Sequence, residues 1–227
     1  MIGFEPPLDD KTKAKLGEAS QELFERVKIE SKQIMKARIE DDRYYFSHCL
    51  LLSPIFEISG TLKEIQAIFT KYVLSQGAKQ ECTKEIKKII SGSHTHNWDI
   101  EREIEELAHD LFMQYNSAYA FALAKETNLK YFIYQGGLIR DSRDFCVAHN
   151  NRIWSIEEAE AWTSWTPAKG IYPPDYVVKA DDVNSVPSYI NYPSYIPMLD
   201  RGGFNCRHSL GFLMDVIAYK MRPDLKQ

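Results

Sequence analysis

Two cysteines, two histidines and a crowd of arginines and aspartates sit in two short stretches of the last third of this 227-residue chain. The first, YFIYQGGLIRDSRDFCVAHNNRIWS, runs from Tyr131 to Ser155; the second, RGGFNCRHSL, from Arg201 to Leu210. Cys146-x-x-His149 and Cys206-x-His208 together supply two thiols and two imidazoles, a donor set that suits tetrahedral zinc. Cys-x-x-His is a good ligand spacing; Cys-x-His is tighter and needs an extended backbone. The plainer reading is that the cysteines pack as small buried groups while the histidines bond locally. Arg140, Asp141, Ser142, Arg143 and Asp144 form a turn of alternating charge. Asp141 is placed to cap a helix carrying Cys146, and Arg140 or Arg143 to hold a carboxylate or phosphate bidentately. Alternatively the turn joins Asn205 and Arg207 in an internal polar lattice. Buried polar groups need partners, so the two stretches are expected to touch. Cys146 should lie close to Cys206, with Arg207 or His208 facing the 141–144 turn.

Other reactive types read more plainly. Gly136-Gly137 and Gly202-Gly203 suit tight turns or close backbone approach, and neither resembles a phosphate-binding loop. His94-x-His96, beside Trp98 and Asp99, reads as surface histidines in a polar linker. Cys49 has apolar neighbours and reads as core, whereas Cys82 falls in a polar helix and looks incidental. No Ser-His-Asp order, Glu-bearing metal motif or cofactor loop is visible.

The elements that must position these groups are mainly helices. Asp9 or Asp10 can start a helix reaching about Ile39. Its apolar stripe, Leu16, Leu23, Val27 and Ile34, is narrow, which suggests packing on a partner helix or a neighbouring chain. The segment YYFSHCLLLSPIFEISG reads as a buried helix turned at Pro54. Thr61, with Glu64 at capping-box spacing, opens another helix with Leu62, Ile65, Phe69 and Val73 on its apolar face. A short helix over 79–90 carries Lys79, Lys84, Lys87 and Lys88, either a solvated face or a contact for DNA phosphates. A long helix follows from near Trp98 to about Asn128, its first turns acidic as a helix N-terminus favours. Tyr131–Tyr134 reads as a strand, and Ser155 with Glu158 as a capping box. From Thr163 to Asp200 the chain is rich in Pro, Tyr, Ser and Trp. It reads as a long irregular insert, with a strand at Tyr176–Val178, that is either an interaction arm or folded back on its own domain. The expectation is an α+β protein: a mostly helical region over 1–128, then a small mixed α/β module over 129–227.

The order of these features carries a resemblance. An aromatic strand, Gly-Gly, Asp-Ser-Arg-x-Phe-Cys, Asn-x-Arg-Ile-Trp, a variable insert and Gly-Gly-Phe-Asn-Cys-Arg-His follow one another over about residues 129–215. This resembles the head-morphogenesis domain of Mu-F-like phage minor head proteins. The resemblance implies a non-enzymatic virion protein that accompanies the portal protein and other capsid proteins, acting in head assembly and genome packaging or ejection. It would assemble in the host cytoplasm, and its helical region would contact portal or phage DNA. Two alternatives stand beside this: a toxin-like hydrolase or transferase using the Cys/His/Arg/Asp cluster, and a zinc-stabilised adaptor with no phage role.

Composition is compatible with each. The chain is 44% hydrophobic and 26% charged with a net charge of -4, ordinary for a globular protein and unsuited to wholesale coating of nucleic acid. No apolar run is long enough to span a membrane. The four cysteines are too few for a disulfide scaffold at this size, so a reducing compartment is expected.

Overall fold

A computed structural model describes residues 10–48, 60–91, 98–192 and 194–226. Cys49, Pro54, His94 and His96, and the segment around each, lie outside the described residues, as does the side chain of Leu16.

The helical region consists of α1 (Asp10–Glu40), α2 (Asp42–His48), α3 (Thr61–Leu74), α4 (Lys79–Ser91) and α5 (Trp98–Glu126). α1 runs antiparallel to α5: Arg26 pairs with Glu126 and Glu30 with Lys125 at one end, while Tyr44, just past α1, meets Asp110 at the other. Of the expected stripe Val27 is buried while Leu23 and Ile34 are half-buried; the buried face of α1 runs instead through Val27, Ser31, Met35 and Arg38, and α1 packs on α5. α3 buries the expected face, Leu62, Ile65, Phe69 and Val73. Its start differs: Gly60 is the N-cap, and Thr61 is a buried residue of the first turn. α4 turns Cys82, Ile86 and Ile90 into the core, so Cys82 is a core residue; burial pushes its thiol up to about 12. Beside this face Lys87 bonds Glu101 and Glu105 of α5, which takes one cation out of the basic run.

The module begins where α5 ends. β1 (Tyr131–Gln135) lies between β2 (Arg152–Ser155) and β3 (Ser209–Leu213), antiparallel to both, with Phe132 opposite Trp154 and Phe212. Alternate residues of a strand face opposite sides. Phe132 and Tyr134 therefore join the main core shared with the helices, while Tyr131 and Ile133 pack with Ala218 and Tyr219 of a small second cluster. Phe121 on Phe212 carries the join from α5 to β3. α6 (Asp144–His149) lies between β1 and β2, α7 (Ile156–Glu160) follows β2, α8 (Pro197–Asp200) precedes the second motif, and α9 (Asp215–Met221) covers β1. The capping box at α7 is complete: Ser155 Oγ accepts from the Glu158 N–H, and the Glu158 carboxylate accepts from the Ser155 N–H. Among the described residues no helix is long and apolar enough to cross a membrane. A mixed α+β fold with a helical N-terminal region is the observed architecture.

The insert folds back on its own domain. Tyr172 stacks on Tyr176 and donates to the Pro167 carbonyl, and Tyr195 donates to the Arg201 carbonyl. The strand expected at Tyr176–Val178 is absent. That stretch is held instead by the Asp144 carboxylate, which accepts from the Tyr176 hydroxyl and from the Lys179 and Ala180 N–H groups. One buried carboxylate thereby satisfies two backbone N–H groups just past that stretch.

Candidate functional site

The two motif halves close on each other through sulfur. Cys146 comes from the first turn of α6 and Cys206 from the loop before β3; both are buried, and their sulfurs are 4.0 Å apart. The Tyr134 hydroxyl, from the middle strand, lies 3.4 Å from Cys146 Sγ and 3.2 Å from Cys206 Sγ. His208 Nδ1 is 3.8 Å from Cys206 Sγ, and the His208 ring stacks on Tyr134. His208 Nε2 is buried with no hydrogen-bond partner. Gly202 makes the floor: a Cβ there would stand 2.6 Å from Cys146 Sγ and 3.3 Å from Cys206 Sγ. Gly203 has φ +94°, and a Cβ on it would strike the Tyr189 carbonyl oxygen. A side chain at Gly202 would push the second half away from the first, and one at Gly203 would push it away from the insert. Gly137, by contrast, faces open space.

Electrostatics distinguishes the two thiols. Cys206 is lowered well below the ordinary range because Cys146 and His208 bond to its sulfur and the Arg201 charge is near, whereas Cys146, the donor to Cys206, is raised. Burial raises the Tyr134 phenol far above its usual value.

His149 does not join the thiols. Its Nδ1 bonds the Phe145 carbonyl one turn back, and its ring is stacked between Phe145 and Trp154. With Trp162 and Trp165 edge-on, the imidazole is a core aromatic, and burial lowers its pKa to about 3. The group of ligand atoms within reach of one ion is therefore Cys146, Cys206 and His208, one residue fewer than the sequence suggests.

The charged turn meets the second half in a different way from the expected lattice. Arg143 donates to the carbonyls of Gly202 and Phe204, so its partners are backbone. Arg143 is also the N-cap of α6, with no side-chain cap bond; Asp141 is exposed and caps nothing. Arg140 offers only its carbonyl, to Lys179 Nζ. Arg207 is exposed and does not face the turn. Asn205 turns at φ 57°, which points its N–H at Asp110 of α5.

That last bond opens a second cluster, beside the first. Arg38 of α1 pairs with Asp200 of α8 at 2.8 Å, both buried. Gln114 Nε2 donates to Asp110 and to Asp200, and the Tyr44 hydroxyl donates to Asp110 at 2.6 Å. Arg201, wholly buried, donates to Ser117 Oγ and to the Cys206 carbonyl. Its backbone sits at φ 54°, ψ -109°, an expensive conformation for a residue with a Cβ. Burial raises both carboxylates, Asp110 to about 6. Two guanidiniums balance two carboxylates, as buried charge requires. Arg38, Asp110 and Asp200 escape a reading that looks only for ligand spacings. Their signal is a charge falling on an apolar stripe: Arg38 is four residues past Ile34, and Asp110 is three past Leu107.

Compared with known proteins, the chain matches no family model, no curated protein and no solved structure.

Proposed function

We propose that the chain is a minor head protein of a tailed phage, non-enzymatic, docked at the portal and carried in the virion. The reading rests on the ordered motif of residues 129–215 and its resemblance to Mu-F-like minor head proteins. The observation that carries it is how the motif residues are used. Arg143, Asp144, Cys146, Gly202, Cys206 and His208 hold the two halves of one small module together, and Arg201 and Asn205 fasten that module to the helical region. A catalytic cluster must offer its reactive groups to a substrate. Here Asp144, Cys146, Cys206 and His208 are 3–4% exposed, which favours an architectural role. Under this proposal the outer faces of the helices meet portal, capsid proteins and packaged DNA, and assembly takes place in the host cytoplasm.

The test is co-expression with the portal protein encoded on the same genome. Co-elution of the two as one assembly, retained when Cys146 is replaced by Ser in a variant that still folds, is the expected result. Separate elution at micromolar concentration of both proteins would contradict the proposal.

A further inference from the structure

From the geometry we infer that Cys146, Cys206 and His208 form a structural zinc site, with the Tyr134 hydroxyl at the fourth position. Two observations independent of each other point there. The first is spacing. In a tetrahedral centre with Zn–S of about 2.3 Å, neighbouring sulfurs stand about 3.8 Å apart, and sulfur to nitrogen or oxygen about 3.5 Å. The edges here are 4.0 Å between sulfurs, 3.8 Å from Cys206 Sγ to His208 Nδ1, and 3.4 and 3.2 Å from the sulfurs to Tyr134 Oη. The second is the gathering of soft donors out of water. Cys146, Cys206 and His208 are 3–4% exposed, and the two free thiols find only each other, a phenol and the Nδ1 edge of this ring.

The donor chemistry selects the metal. Two thiolates and an imidazole are borderline-soft ligands that favour zinc over magnesium or calcium. On binding, each thiol loses its proton to solvent, so uptake of one ion releases up to two protons. The site ties β1, α6 and the loop before β3 at one point, across the 60 positions that separate the cysteines. The insert is thereby closed into a loop by the metal instead of by a disulfide. His149 is outside the set because its ring is committed to the aromatic stack.

Cobalt(II) titration of chelator-treated protein, followed by visible absorption, tests this ligand set. Metal analysis of protein never exposed to chelator accompanies it. Expected are about one equivalent of zinc as purified, and tetrahedral cobalt bands with thiolate charge transfer saturating at one equivalent. Cys206→Ser and His208→Ala should each weaken cobalt binding at least tenfold, whereas His149→Ala should leave it within about twofold. His149→Ala keeps the test meaningful even where a cysteine variant fails to fold. The assignment is overturned by negligible metal in untreated protein together with no cobalt spectrum. It is equally overturned by a two-dalton mass loss showing a Cys146–Cys206 disulfide in the untreated protein, or by His149→Ala losing cobalt as completely as His208→Ala.

Discussion

Arg201 and His208 stand in one short loop, yet each enters a different buried cluster. Around Arg201 the groups are hard and charged: Arg38, Asp110 and Asp200, with Gln114 and Tyr44 distributing hydrogen bonds among the carboxylates. Around His208 they are soft and uncharged when protonated: two thiols and a phenol. The charged cluster joins regions far apart in sequence, since Arg38 and Asp200 are 162 residues apart. The sulfur cluster joins two halves of one module. One loop thus fixes both the internal geometry of the module and its seat on the helices, and damage to the two clusters should differ in kind.

The largest effect is expected at the charged cluster. Replacing Asp200 by Ala leaves the Arg38 guanidinium buried without its carboxylate. Removing one partner of a buried pair costs roughly 3–5 kcal/mol, to be read in urea unfolding monitored by far-UV circular dichroism. A loss below about 1 kcal/mol, the scale of an exposed pair, would show that this ion pair does not hold α1 to the module.

Acid should act mainly through buried histidines. Burial lowers His48 to about 4 and His149 to about 3, both under the ordinary 6.5. Their contribution is complete above pH 6.5 and is lost as pH falls from there toward 4, because the unfolded chain takes up protons that the folded one refuses. Asp110, raised to about 6, and Asp200, also raised by burial, work the other way, adding stability as pH falls toward 3.8. His48 alone should account for a loss of about 2 kcal/mol between pH 7 and pH 5. His48→Gln should flatten that slope by close to one proton. An unchanged slope would mean that His48 is already protonated, or exposed, in the folded protein.

Glycines sharpen the comparison on the sulfur side. Gly203→Ala should cost about 1–3 kcal/mol from backbone strain alone, with more from the Tyr189 carbonyl it would meet. Gly137→Ala, facing open space, should stay within about 0.5 kcal/mol. Thermal melts of the pair would contradict the close seat of the second half on the insert if the two variants behaved alike. The smallest effect is expected away from both clusters, at the capping box. Ser155→Ala should lower stability by about 1 kcal/mol without altering cobalt binding.

Local features of this fold are legible in the sequence, and cross-chain ones are legible only in part. The boundaries of α1, α4 and α5, the strand at Tyr131 and the Ser155 capping box follow from periodicity and nearest-neighbour chemistry, which a linear reading contains. The approach of Cys146 to Cys206 is legible too, because polar groups gathered in two places imply a meeting. The identity of the polar partners is not. Arg143 finds backbone carbonyls, and Asp144 finds the insert's N–H groups, because main-chain acceptors and donors are present at every position and leave no mark in residue type. His149 illustrates the same limit. Its spacing from Cys146 is that of a ligand, but Phe145 and Trp154 enclose the ring, and an aromatic stack between α6 and β2 has no spacing rule. The strand expected at Tyr176–Val178 is absent; Asp144, from another element, holds the Tyr176 hydroxyl and the N–H groups of Lys179 and Ala180 just beyond it.

The proposal that this chain is a component of a phage particle is tested most directly by counting it in such particles. Quantitative mass spectrometry of DNA-filled particles, purified from the phage whose genome encodes the chain, should find it at a fixed low ratio to the portal protein and far below the major capsid protein. Its absence from those particles, with the chain abundant in the same lysate, would contradict the account.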